Sequence, residues 1–116
     1  MKTGIQLIAA ERKRHPKLGW TAEHDDMEHN DASLALAAVA YAAPGRVFGL
    51  RESSDSFEFC DPWPWEGWED KRPYKGNVLQ RPTHRQRIRL LAKAGSFCAA
   101  EIDRLQRAHD RRQHHE

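Results

Sequence analysis

The sequence predicts a mainly α-helical domain: a three-helix core with a small hairpin or irregular Trp-rich insertion, in one unit over residues 1–116. Three observations carry this prediction. Two segments open on capping boxes, Thr3-Gly4-Ile5-Gln6 and Thr83-His84-Arg85-Gln86, where a Thr hydroxyl and a Gln side chain each satisfy an orphan backbone donor. Between them, residues 34–43 are Leu and Ala with one Val and one Tyr, apolar nearly all round, as a central buried helix should be. After Thr83, the residues Ile88, Leu91, Gly95, Cys98, Ile102 and Leu105 recur at spacings of three and four. A chain of 116 residues supports one modest core. Three helices make a thin bundle, which a homodimer or higher homo-oligomer would complete.

The first helix starts after Thr3 and uses Ile5, Leu7 and Ile8 as its apolar side. Arg12, Lys13 and Arg14 load its last turn with positive charge, favourable at the negative end of the helix dipole. Pro16 disfavours helical geometry at His15, so the helix is expected to end there. A polar loop follows, with Trp20 as a packing anchor whose indole N–H needs a partner. Asn30 or Asp31 is expected to cap the second helix, which runs to about Ala43 before Pro44-Gly45 stops it.

Residues 45–80 are too long for a plain loop and form the insertion. Within them, 46–50 and 56–59 are β-compatible, with 51–55 as the turn between. Trp63, Trp65 and Trp68 then fall within six residues, and Pro62 and Pro64 fix extended geometry around them. The last helix runs from Thr83 to about Arg107 or beyond. Leu90, Ala94 and Phe97 widen its stripe, Gly95 gives close contact with the alanine-rich helix, and Cys98 reads as a small core residue. Residues 108–116 form a charged tail expected to fray.

The net charge is +2, unevenly spread. Residues 1–19 carry five basic side chains and one acidic. Residues 20–31 carry five acidic and none basic, and residues 52–70 carry seven acidic and none basic. Residues 81–116 carry nine basic against four acidic. Acidic segments are therefore expected to meet basic helices inside the fold or across an interface, and two acidic loops argue against a nucleic-acid surface. No apolar run reaches the roughly 20 residues of a membrane span. No sustained apolar leader segment is present, and Cys60 and Cys98 lack metal-type spacing, so free thiols in a reducing cytoplasm are expected.

Residues 19–31 are the main chemical candidate. They hold five carboxylates and two histidines with no Lys or Arg. With Glu11, the side chains of His24, Asp25, Asp26, His29 and Asp31 admit three readings: salt bridges to Arg12, Arg14 or the arginines of the last helix; contacts to a ligand; or a metal, Mg²⁺ or Mn²⁺ through oxygen or zinc through nitrogen. A second candidate is Trp63, Trp65 and Trp68 with Lys71, Arg72, Tyr74 and Lys75, since aromatic faces stack on bases and cations hold phosphate. These Trp can equally pack the insertion onto the helices. Glu101 lies at the edge of the apolar stripe and can point inward, whereas Asp103 should be exposed; both can pair locally with Arg104 and Arg107. No Ser/His/Asp arrangement, P-loop or GxGxxG is present, and no catalytic residue is assigned.

Glu11-Arg12, Gly19-Trp20-Thr21-x-Glu23-His24-Asp25-Asp26, Trp63-Pro64-Trp65, Leu91-x-Lys93-Ala94-Gly95 and Ala100-Glu101-Ile102-Asp103-Arg104-Leu105 together resemble a family of small uncharacterised phage and prophage proteins. The order of elements is similar, more distantly, to MazG-like all-α nucleoside triphosphate pyrophosphatases, which hold Mg²⁺ on paired acidic motifs of two helices. Here the buried helix has no glutamate, and Lys93-Ala-Gly-Ser stands where an acidic pair is expected. The resemblance thus implies scaffold and not catalysis.

The expectation is a cytoplasmic protein that sequesters a nucleotide-like small molecule to counter a host defence signal. The ligand site comprises Glu11, Arg12, Trp20, His24, Asp25, Asp26, Trp63, Trp65, Trp68, Lys71 and Arg72, with no cofactor. One alternative is a MazG-like metal-dependent nucleotide phosphohydrolase, with Mg²⁺ or Mn²⁺ on Glu11, His24, Asp25 and Asp26. The other is a protein-binding inhibitor of a host factor that uses the Trp-Pro-Trp segment as its anchor.

Overall fold

A computed structural model describes residues 1–28, 32–43, 49–52, 57–60, 63–64, 72 and 82–114, with backbone alone in the two strands. The elements in chain order are α1 (Gly4–Lys17), α2 (Ala22–Glu28), α3 (Ser33–Ala42), β1 (Gly49–Glu52), β2 (Phe57–Cys60) and α4 (His84–His114). The fold is mainly helical, as predicted, and α4 is its spine: α1, α2 and α3 all pack on it.

Both capping boxes form. Thr3 Oγ1 accepts from the Gln6 amide, and Gln6 Oε1 accepts from the Thr3 amide at 2.9 Å. Thr83 and Gln86 repeat the exchange at the start of α4. The end of α1 differs from expectation. The helix passes through Pro16 to Lys17. Pro16 sits in the last turn, and the chain closes around it. The Trp20 amide donates to the His15 carbonyl at 2.8 Å and the Gly19 amide to the Pro16 carbonyl at 3.1 Å. This is a Schellman closure, with Gly19 at φ +88°, a backbone that a side chain would strain.

A second correction lies in the acidic stretch, where a loop was expected and α2 forms. Thr21 is its cap: its hydroxyl accepts from the His24 amide, and its carbonyl accepts from the Asp25 amide. Glu23 and Asp25 fall in the first turn, where the helix dipole favours negative charge. The cap of α3 is also not Asn30 or Asp31. Ala32 holds that position, left-handed at φ 67° and without a side-chain cap bond, while Asn30 and Asp31 lie outside the described residues. The C-terminal end of α3 is closed by Arg87 of α4, whose guanidinium donates to the carbonyls of Tyr41, Ala42 and Ala43.

The hairpin forms a little later in the chain than expected. β1 and β2 pair antiparallel, with Gly49 opposite Cys60 and Glu52 opposite Phe57. Arg51 and Glu52 are therefore strand and not turn.

α3 is buried as its composition requires: Leu34, Ala37, Ala38, Ala40 and Tyr41 are sealed from solvent. It packs on the α4 face that carries Leu90, Ala94, Phe97 and Ala100. Burying a Leu or Phe of this kind contributes about 1.5–3 kcal/mol. The long stripe predicted to be the core is largely on the outside. Ile88, Leu91, Ile102 and Leu105 are 43–55% exposed, and Cys98 is exposed as well. The residues read as mere widening are the true core face. Gly95 does not meet α3 either: a Cβ placed there would lie 2.6 Å from Cδ1 of Ile8, so this glycine admits α1. Finally, α4 stays helical through residues 108–114, where fraying was expected.

Candidate functional site

One short junction places the polar residues. The Schellman closure ends α1 at Lys17, and α2 begins at Ala22, so only four residues separate the two helices. This brings Glu11, Arg12 and His15 of α1 and His24, Asp25 and Asp26 of α2 against the same side of α4.

Most of these charges are matched. Arg12 bonds Asp103 at 3.1 Å. Glu11 is held by Lys93 at 3.4 Å and by Arg14 at 3.2 Å. Asp26 accepts from Arg107 at 2.9 Å and Arg111 at 2.8 Å. Those arginine bonds, that of Arg107 first, hold the Asp26 carboxyl below its ordinary pKa. Glu101 points inward, as its place at the stripe edge suggested, and is bonded by Arg104. Asp103 is only partly exposed because it meets Arg12.

Asp25 differs from its neighbour. It is 0% exposed, and burial pushes its pKa up, against the opposing pull of Arg12, His24 and Arg107. Its Oδ1 lies 3.9 Å from Nδ1 of His24. Adjacent carboxyls in one helix thus sit in opposite environments, Asp26 clamped by two arginines that lower its pKa, Asp25 enclosed so that burial raises it.

Sequence reasoning missed His15. It is 5% exposed and bonds the hydroxyl of Ser96 through Nε2 at 3.1 Å, while Ser96 donates onward to the Lys93 carbonyl at 2.7 Å. Burial, followed by the positive charge of Arg12, lowers its pKa to about 4, so the ring is neutral at pH 7. One local signal pointed to it. In the Schellman geometry, the residue after the glycine packs back one turn into the helix, and here Trp20 lies 5.7 Å from the His15 ring.

An aromatic ladder runs through the core from this point. Phe97 lies 5.3 Å from both His15 and Trp20, and Tyr41 stacks on Phe97 with planes 5° apart. Trp63 meets Tyr41 edge-on at 5.4 Å, and the Arg72 guanidinium sits 5.5 Å from the Trp63 ring centre. At the other end, Trp20 lies 6.1 Å from His24. Trp63 and Arg72 are thus tied to the acidic stretch through Tyr41, Phe97 and Trp20. Arg72 is buried, and Trp20 is the packing anchor expected of it. Trp65, Trp68 and Lys71 lie outside the described residues, as do His29, Tyr74 and Lys75.

Among the described residues, no group of three or more His, Cys, Asp or Glu side chains is arranged to hold a metal ion. The donor chemistry agrees, because Glu11 and Asp26 already neutralise cations of α1 and α4. No described helix is long and apolar enough to cross a membrane.

Comparison of the chain with protein-family models, with curated proteins and with solved structures gave no match.

Proposed function

We propose that this chain binds a nucleotide-like small molecule and withholds it without turning it over, using Asp25 and His24 at one end of the aromatic ladder and Trp63 and Arg72 at the other. The observation that carries the reading is Asp25. A carboxyl enclosed near Arg12, His24 and Arg107, with its pKa raised by burial, offers hydrogen-bonding oxygens that suit a base edge or a sugar hydroxyl. Trp63 supplies an aromatic surface, and Arg72 supplies positive charge for phosphate. Trp65, Trp68 and Lys71 extend the same chemistry along the sequence. Withholding a nucleotide signal made by a host's defence is the use that the likeness to phage proteins implies. The reading includes a homodimer, since three helices on one spine leave a broad face of that spine open.

The test is isothermal titration of the purified chain with mono-, di- and cyclic dinucleotides, in chelator and then in Mg²⁺ or Mn²⁺. Saturable binding in chelator, weakened at least tenfold in Asp25→Ala, supports the reading. Hydrolysis of any of these nucleotides, lost in Asp25→Ala, overturns it in favour of an enzyme. Absence of binding across the panel also overturns it.

A further inference from the structure

We propose that the open apolar face of α4 docks a second copy of this chain, helix against helix and antiparallel. This inference shares with the proposed function only the expectation of a dimer. Association and nucleotide binding are read separately, so either can fail alone.

Ile88, Leu91, Gly95, Cys98, Ile102 and Leu105 follow the three- and four-residue spacing of a helix–helix seam, in which Gly95 is covered by Ile8 of α1 and the other five carry side chains open to solvent. They lie on the side of α4 away from α3, and all are exposed. Ile5 of α1 extends the same surface at 83% exposure, because Ile8, one turn on, is seated on Gly95 beside the seam. Together these side chains expose on the order of 500 Å² of apolar area, at the upper end of what a monomer leaves open. A pair of copies would bury about 1,000 Å², the size at which a specific interface stands apart from chance contact.

The pattern also fits itself. Turned about the point midway between Ser96 and Phe97, Ile88 meets the partner's Leu105, and Leu91 meets the partner's Ile102. Large side chains then oppose large ones, and near the twofold axis Cys98 faces the partner's Gly95 and the Ile8 side chain seated on it, so α1 flanks the contact. Ile102 and Leu105 line a shallow depression with Gln106, His109 and Asp110. In this register that depression receives the partner's Ile88. Charge selects the direction. Arg85 and Asp110 lie on the same flank of α4, about 20° apart around the helix at 100° per residue. Antiparallel packing brings like flanks together, so Arg85 faces the partner's Asp110. Parallel packing would instead crowd the two basic starts of α4, His84, Arg85 and Arg87, against each other.

Sedimentation equilibrium of the full chain is the test, with Leu91→Glu, Ile102→Glu and, as a control, Val39→Glu, an exposed apolar site on α3. The expected result is a wild-type dimer. Each α4 variant should dissociate at least tenfold more readily with helix content unchanged by circular dichroism, while Val39→Glu stays dimeric. In a Cys60→Ser background, a short bis-maleimide should link two copies through Cys98. A wild type that is monomeric throughout the micromolar range overturns the proposal. So does a dimer that both α4 variants leave intact, or one that Val39→Glu disrupts equally. A monomer that binds anionic vesicles through Leu91 would reassign the face to a lipid surface and likewise overturn it.

Discussion

His15 ties stability to pH in a way that can be worked through. The folded state holds its pKa at about 4, against an ordinary value of 6.5. The cause is first the burial of the ring, then Arg12, with Lys93 and Arg14 adding to it and Glu11 opposing. A depressed histidine pKa means that the folded state keeps the neutral ring while the unfolded chain takes a proton first. The stabilisation is therefore complete above pH 6.5 and lost as pH falls from there to about 4. At about 1.4 kcal/mol per pH unit, the loss amounts to roughly 3 kcal/mol. Asp25 works in the opposite sense: its raised pKa favours the fold once it is protonated, so acid strengthens its contribution. The effect of His15 must be isolated by difference. Urea unfolding followed by circular dichroism at pH 7 and pH 4.5, on wild type and His15→Gln, supplies that difference. Gln keeps a polar group near Ser96 but does not titrate. The wild type should lose about 2–3 kcal/mol more than His15→Gln between those pH values. Equal losses would refute the argument, since they would mean that the ring is solvated or pairs as well when charged.

Three further perturbations follow from local geometry. Asp26→Asn removes the charge that Arg107 and Arg111 share, and should cost about 1–2 kcal/mol in urea unfolding, with the loss smaller at high salt. Gly95→Ala would be stabilising by about 1 kcal/mol in an open helix, but here its Cβ meets Ile8, so a net destabilisation is expected. Repeating it in an Ile8→Ala background should restore the gain, and a double-mutant cycle on thermal melts reads the coupling. Gly19→Ala forces a side chain into the left-handed turn that closes α1, at a cost of about 1–2 kcal/mol, measurable as a lower urea midpoint.

The parts of the fold legible in the sequence are those decided by neighbours within a turn. The boxes at Thr3 and Thr83 are local exchanges of hydrogen bonds, and each fixes where its helix begins. α3 is legible because its side chains allow no exposed face. α2 was hidden because its capping residue, Thr21, is followed by acids that read as loop, although acids in a first turn favour a helix. The orientation of α4 was misread for a deeper reason. Its buried face mixes Leu90, Ala94 and Phe97 with Glu101 and the partly buried Arg104, whereas its outer stripe is purely apolar. Hydrophobic periodicity ranks the second face above the first, and only the ion pairs that enclose Glu101 and Arg104 reverse the order. The same logic governs the candidate site. Composition marked residues 19–31 but could not separate Asp25 from Asp26, since the difference lies in which carboxyl faces Arg107 and Arg111 of a helix eighty residues away.

The position of the spine in the chain carries a consequence for synthesis. α1, α2 and α3 each find their main partner in α4, which is made after all three. A nascent chain that has emerged only as far as the hairpin has no surface on which to bury Leu34, Tyr41 or Trp20. These helices must wait, with their apolar sides open, until α4 leaves the ribosome, and then condense together. Contacts to α4 thus gate the folding of the helices before it, and the interval before α4 emerges is when chaperones have the most to hold.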